Sequence, residues 1–146
     1  MEVRRLAGGE TDLAAALHRR AGATIPGYDV TLHTPEQDRA FYREQVFAKG
    51  PIWGVWADAQ LLGHVALSPG WIDHLYVEPE HHRRGIGRML VGKAQEAEDE
   101  LQLWTFQANL RARAFYERHG FVAETFTDGS GNEERLPDVR YRWRRG

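Results

Sequence analysis

The chain contains no cysteine. That excludes a disulfide framework, thiolate metal ligands and a cysteine nucleophile, and it fits a reducing compartment. No apolar run approaches the ~20 residues that span a bilayer. The stretch from Met1 to Asp12 lacks the apolar segment of roughly 7–15 residues that marks a secretory signal. Neither sign of charge dominates: 19 Lys and Arg stand against 21 Asp and Glu, for a net charge of −2. Nucleic-acid binders are usually far more basic, because phosphate contacts dominate their affinity. The expectation is a cytoplasmic protein whose partners include neither a membrane nor a nucleic acid.

What is present is ordinary for a globular chain. Apolar residues make up 42% and charged residues 27% of 146 positions. That length supports one core without disulfides or a structural metal, so residues 1–146 are read as a single domain. Met1–Leu6 reads as a short strand. Thr11 or Asp12 is placed to cap a helix with Leu13, Leu17 and Ala21 at helical spacing. Gly22–His33 reads as a loop. Thr34-Pro35-Glu36-Gln37 opens a second helix, with Thr34 as N-cap, Pro35 at N1 and Gln37 closing a capping box. Ile52–Ala57 and Gln60–Leu67 form a hairpin around Asp58-Ala59, and Trp71–Val77 is a third strand. Ile86, Met89, Leu90, Ala94 and Ala97 mark one face of a helix. Leu101–Phe106 is a strand, and Asn109–His119 is a helix with Leu110, Ala114 and Phe115 inward. Gly120 stops it. Phe121–Thr127 and Val139–Trp143 are two last strands. The order β-α-α-β-β-β-α-β-α-β-β predicts an α/β (α+β) fold, a sheet of about seven strands with helices on both faces.

The segment that carries chemistry runs from Tyr76 to Arg88. A strand enters a turn, His82-Arg83-Arg84-Gly85-Ile86-Gly87-Arg88, that opens a helix. The first N–H groups of a helix have no intrahelical partner and carry positive partial charge. They form an anion site, and Gly85 and Gly87 let a phosphate approach the backbone. Arg83, Arg84 and Arg88 add charge at the rim. The dinucleotide fingerprint is absent, because Leu90 holds its third glycine position, and no Gly-Lys-Ser/Thr follows for a P-loop. A lone Gly-x-Gly also suits a tight helix start with no ligand.

Together with Asn109-Leu110-Arg111-Ala112-Arg113-Ala114-Phe115-Tyr116 and Gly120-Phe121, this segment resembles the GNAT superfamily of N-acetyltransferases. His82 departs from the family's usual Gln or Arg. The resemblance implies a mixed, mostly antiparallel twisted sheet and acetyl-CoA as co-substrate. It places the pyrophosphate on the backbone of Arg83, Arg84, Gly85, Ile86, Gly87 and Arg88. It lays the pantetheine arm along Leu75, Tyr76 and Val77, with Asn109, Ala112 and Phe115 beside it. No metal is implied. The reaction would be direct transfer to a primary amine in a ternary complex, with Tyr116 protonating the departing thiolate. Tyr116 also reads as a core aromatic beside Phe115. Asp73 is a candidate general base, because Trp71, Asp73, Leu75 and Val77 alternate onto one face of a strand.

The resemblance puts the acceptor cleft between the loop after the first helix and the final hairpin. Glu133 and Glu134 there would steer a cationic amine, with Tyr28 nearby. A solvated acidic loop is the plainer reading. Two other functions stay open: an acyl-CoA-binding module without turnover, and nucleic-acid binding through the arginines, which the charge balance disfavours. Tyr141–Trp143 reads as an edge strand on which a homodimer could form.

Overall fold

Twelve regular elements follow one another, the eleven expected in their order and a short third helix before the hairpin. The computed structural model describes residues 1–146. They are β1 (Glu2–Arg5), α1 (Thr11–Gly22), α2 (Pro35–Phe41), α3 (Phe47–Lys49), β2 (Ile52–Ala57), β3 (Gln60–Ser68) and β4 (Trp71–Val77). Then come α4 (Ile86–Ala97), β5 (Glu100–Phe106), α5 (Leu110–Arg118), β6 (Val122–Phe126) and β7 (Asp138–Arg144). The strands form one seven-stranded sheet in the order β1-β2-β3-β4-β5-β7-β6. Every neighbouring pair is antiparallel except β4 and β5. A parallel pair needs a crossover, and α4 supplies it. The fold is the mixed, mostly antiparallel sheet expected, with helices on both faces. No helix is long and apolar enough to cross a membrane.

Each face of the sheet has its own core. On one, Ile86, Leu90, Val91 and Ala94 of α4 and Tyr116 of α5 pack on Val55, Val65, Ile72, Leu101, Leu103, Val139 and Tyr141. On the other, Ala14, Ala15, Leu17 and Ala21 of α1, with Tyr42 and Val46, pack on Ile52, Trp56, Leu61 and Ala66. Covered on both sides, β3 is buried from Leu61 to Leu67 without a break. Such a strand shows no polar alternation in its sequence.

Several local expectations need correction. Thr11 does not cap α1. A 3₁₀ turn at Gly8–Glu10 precedes the helix, and the Thr11 hydroxyl donates to the Gly8 carbonyl at 3.2 Å. Leu13 faces solvent at 45% exposure. The capping box at Thr34 and Gln37 forms as read, with bonds of 3.1 and 2.8 Å. Between α2 and α3 the helix widens into a π turn at Tyr42–Val46. On α5, Leu110 is 71% exposed and Ala114 is exposed. The inward face is instead Ala112, Phe115 and Tyr116, which pack on the core of that side of the sheet. Finally, β7 lies between β5 and β6. Tyr141–Trp143 is therefore an interior strand, and the edge on that side is β6.

Candidate functional site

The two central strands share a single bridge. Trp71 pairs with Gln102, and the Gln102 N–H donates to the Gly70 carbonyl at 2.9 Å. Beyond that point β4 and β5 have no ladder between them. Leu75, Tyr76 and Val77 pair with Val65, His64 and Gly63 of β3 on one side only. Their other edge, and the facing edge of β5, border a wedge. Backbone N–H and C=O groups in such a gap need partners. An extended ligand arm satisfies them in the way an added strand would.

The turn lies at the mouth of this wedge. Arg83 and Gly85 both have left-handed backbones, with φ of 68° and 79°. Gly85 is the N-cap of α4, and no side chain caps that helix start. A Cβ on Gly85 would meet no atom within 4 Å, so the space above it is open. A Cβ on Gly87 would sit 3.0 Å from the Phe115 ring, so the lack of a side chain there also serves the packing of α5. Ile86 buries its side chain and leaves only its backbone to a ligand. Arg83, Arg84 and Arg88 are exposed, and none is paired with a carboxylate. Arg84 holds His81 Nδ1 at 2.8 Å. At the exit of β4, the buried Glu78 accepts two bonds from Arg20, at 2.9 and 2.7 Å. That fork ties the turn to α1. The two residues are 58 positions apart, and no local pattern announces them.

On the far side of the wedge, Asn109 caps α5, its side chain accepting from the Ala112 N–H at 3.2 Å. Phe115 meets Tyr116 edge-on at 5.4 Å. Tyr116 is 6% exposed and packs on Phe121 and Tyr141, so it fills the core slot expected of Phe115. Its hydroxyl bonds to no protein group and is not fully enclosed. Burial raises its pKa above the ordinary phenol range. The group is a protonated phenol at neutral pH.

Strand alternation does not fix the face of Asp73. The β3–β4 register shifts between Ala66 and Leu67, which makes Asp73 the extra residue of a β-bulge. Ile72, Leu75 and Val77 share the α4 face, while His74 and Tyr76 turn to α1. A bulge breaks the two-residue period, so faces do not alternate through Asp73.

The loops expected to frame an acceptor cleft do meet. His33 Nε2 lies 2.7 Å from Glu133 Oε1, and a Cβ on Gly27 would stand 3.1 Å from Leu136. Tyr28 stacks obliquely near Phe106 at 6.1 Å. Burial, then the charges of Glu134, Asp38 and Glu133, push its phenol up. The final loop is not slack. Asn132 Nδ2 donates to the Leu136 carbonyl at 2.7 Å, and Gln107 pins the Thr127 and Asp138 carbonyls at 2.9 and 3.0 Å.

Beneath these loops lies a cluster that sequence reasoning missed. His18 stacks on Tyr76 at 4.2 Å and lies 5.2 Å from His74. Tyr42 bonds both His18 and His64, at 2.7 and 2.9 Å. Burial, then His74, lowers His18 to about 3, and burial lowers His74 to about 4. Each histidine alone reads as a core residue, and the π turn that aims Tyr42 has no sequence signature.

Residues 48–123 match the family model described as an acetyltransferase (GNAT) domain. Two relatives come from Escherichia coli K12. An uncharacterized N-acetyltransferase, YafP, is 34% identical over 84 residues, 58% of this chain and 53% of that protein. The peptidyl-lysine N-acetyltransferase YiaC is 36% identical over 81 residues, 54% of this chain and 55% of that one. The chain thus spans about half the length of the curated relatives it matches. Among solved structures, apo YjaB from Escherichia coli superposes with a TM-score of 0.79 at 22% identity, over 99% of this chain and 98% of that one, and so shares the fold. With the glycine turn and the wedge inside the matched segment, which is just over half of the chain, the protein belongs to the GNAT acetyltransferase family.

Proposed function

We propose that this protein transfers the acetyl group of acetyl-CoA directly to a primary amine of a small-molecule or peptide acceptor, within a ternary complex. The observation that carries the proposal is the wedge between β4 and β5 with the uncapped start of α4 at its mouth. A diphosphate fits the open space above Gly85, held by the N–H groups from Arg83 to Arg88. Arg83, Arg84 and Arg88 are free to pair with it. The edge of Leu75, Tyr76 and Val77 bonds the pantetheine arm, and Asn109, Ala112 and Phe115 border it. An N–H of that edge facing the thioester oxygen contributes roughly 3–4 kcal/mol to the transition state.

The acceptor nitrogen attacks the thioester carbon, and the C–S bond then breaks. Tyr116 gives its proton to the leaving sulfur. The acceptor's surplus proton leaves through the cleft, with Asp73 at the bulge as the carboxylate that takes it. A lysine-like amine has pKa ~10.4, so it must enter or become neutral. Glu133, Glu134 and Tyr28 border the acceptor's path. YiaC, by its name, acts on peptidyl lysine, and such an amine suits an acidic rim. The lack of cysteine fits a thiol-free direct transfer and a cytoplasmic setting. No metal is part of the proposal.

The test is thermal unfolding with acetyl-CoA, followed by thiol release with an amine library. Ligand at ~100 times its Kd adds ~2.7 kcal/mol of stability, several degrees for a domain of this size. Stabilisation by acetyl-CoA but not adenosine, with amine-dependent thiol release, is the expected result. Stabilisation without thiol release from any amine would leave a binding module instead.

A further inference from the structure

On the α1 side of the sheet, His18, Tyr42 and His64 form a chain that the transfer step does not use. His64 Nε2 lies 2.9 Å from Tyr42 Oη, and Tyr42 Oη lies 2.7 Å from His18 Nδ1. His64 Nδ1 is enclosed with no partner. The second nitrogen of His18, like both of His74 and the hydroxyl of Tyr76, bonds to no protein group and is not fully enclosed.

A hydroxyl carries one hydrogen, and if both histidines donated to Tyr42 that hydrogen would be buried without an acceptor, so the chain runs in one of two directions. If His18 Nδ1–H donated to Tyr42 and Tyr42 to His64 Nε2, the hydrogen of His64 would sit on Nδ1. It would then be a buried N–H without an acceptor, one of the rarest defects in folded proteins. The reverse direction leaves only a bare lone pair at that position. His64 Nε2–H therefore donates to Tyr42, and Tyr42 donates to His18 Nδ1. The hydrogen of His18 is forced onto Nε2, the nitrogen with access to solvent. Burial keeps both rings and the phenol neutral at pH 7.

The charges around His18 narrow what it can meet. Arg19 is taken by Asp38 and by the His33 and Val30 carbonyls. Arg20 is taken by Glu78. Asp73 and Lys49 act on His74 with opposite sign. Glu134 and Glu133 add negative potential at Tyr28. A carboxylate here would face those acids while the neutral His18 ring offered it no positive charge, whereas a neutral carbonyl needs only a donor. We infer that the His64–Tyr42–His18 relay holds His18 as a fixed donor whose Nε2–H takes a neutral oxygen, an amide carbonyl, on the amine acceptor. Tyr42 and His64 are positioning residues. The carbonyl contact rests on the proposed function, but the tautomer does not.

Long-range ¹⁵N–¹H spectra of the full chain at pH 7, with His18 assigned through His18→Gln, test the relay. The expected result is His18 and His64 each protonated on Nε2 only, with Tyr42→Phe releasing His18 to a mixture of tautomers. A wild-type His18 that is mixed, or protonated on Nδ1, overturns it, and that measurement stands even where Tyr42→Phe does not fold. Lysinamide, added with coenzyme A, should move the His18 Nε2 resonance, and cadaverine, which lacks the carboxamide, should not. An equal response to both, or to neither, overturns the carbonyl contact. Tyr42→Phe should raise the KM for lysinamide roughly 3- to 10-fold, the loss expected of one hydrogen bond, with the KM for acetyl-CoA unchanged. If no amine turns over while the tautomers are as expected, the transferase reading fails and the relay stands.

Discussion

The two sides of the central wedge are built by different means. Along the edge proposed for the coenzyme, the groups left without partners are backbone: the open edge of β4 and the uncapped start of α4. On the side proposed for the acceptor, the groups are side chains, drawn from α1, the π turn, β3, β4 and two loops. A backbone site tolerates almost any side chain so long as φ is kept at a few glycines. A side-chain site changes with every substitution. The fold can thus hold one coenzyme constant while its acceptor pocket varies.

Substitutions should expose that contrast, beginning with the turn. Gly85→Val puts a branched side chain at φ 79° and into the space above α4. Acetyl-CoA should then give no thermal stabilisation at any concentration that saturates the wild type. Gly85→Asn, which tolerates a left-handed backbone, should fold normally yet bind weakly. Stabilisation of both variants equal to wild type would break the backbone account.

Tyr116→Phe is next. General acid catalysis contributes about 10²–10⁴-fold, so kcat should fall by that order while acetyl-CoA stabilises the variant as well as wild type. If burial were the tyrosine's only role, Phe would serve equally and kcat would not move.

The histidine cluster gives the acceptor side a pH signature. His18 and His74 are held near 3 and 4, below their unfolded value of 6.5, by burial in the first place. Above pH 6.5 both are neutral folded or unfolded, and their environment costs nothing. As pH falls from 6.5 toward about 3, the unfolded chain binds protons that the folded chain refuses, so stability drops. The loss should be on the order of a few kcal/mol. Urea midpoints across that range should fall, and His18→Gln should flatten the curve.

The smallest effect belongs to the rim. Glu133→Gln with Glu134→Gln should raise the acceptor KM a few-fold, since exposed charges contribute about 0–1 kcal/mol each. Glu133 is already paired with His33, which leaves Glu134 the larger share. An unchanged acceptor KM would reduce the rim to solvated charge.

The same contrast governs what could be read from the sequence. The succession of strands along the chain and the Thr34 capping box rest on neighbouring residues, and both are as expected. The bulge at Asp73 was not legible, because it depends on the register of β4 against β3. Strand alternation was therefore the wrong guide to that residue's face. Leu110 looked inward because it is apolar, yet the face that α5 turns to the sheet is set by its packing on β7 and α4. The Arg20–Glu78 fork and the His18–Tyr42–His64 chain depend on pairings across 22 to 58 residues, and the place of β7 inside the sheet depends on its pairing with β5. No local pattern encodes them.

Hydrogen exchange of the backbone amides, with and without coenzyme A, tests the wedge directly. Bound coenzyme should slow exchange in two segments, Leu75–Val77 and Arg84–Arg88, because the ligand takes their free N–H groups. Binding that stabilises the fold but leaves both segments exchanging at their original rates would mean that the coenzyme lies elsewhere.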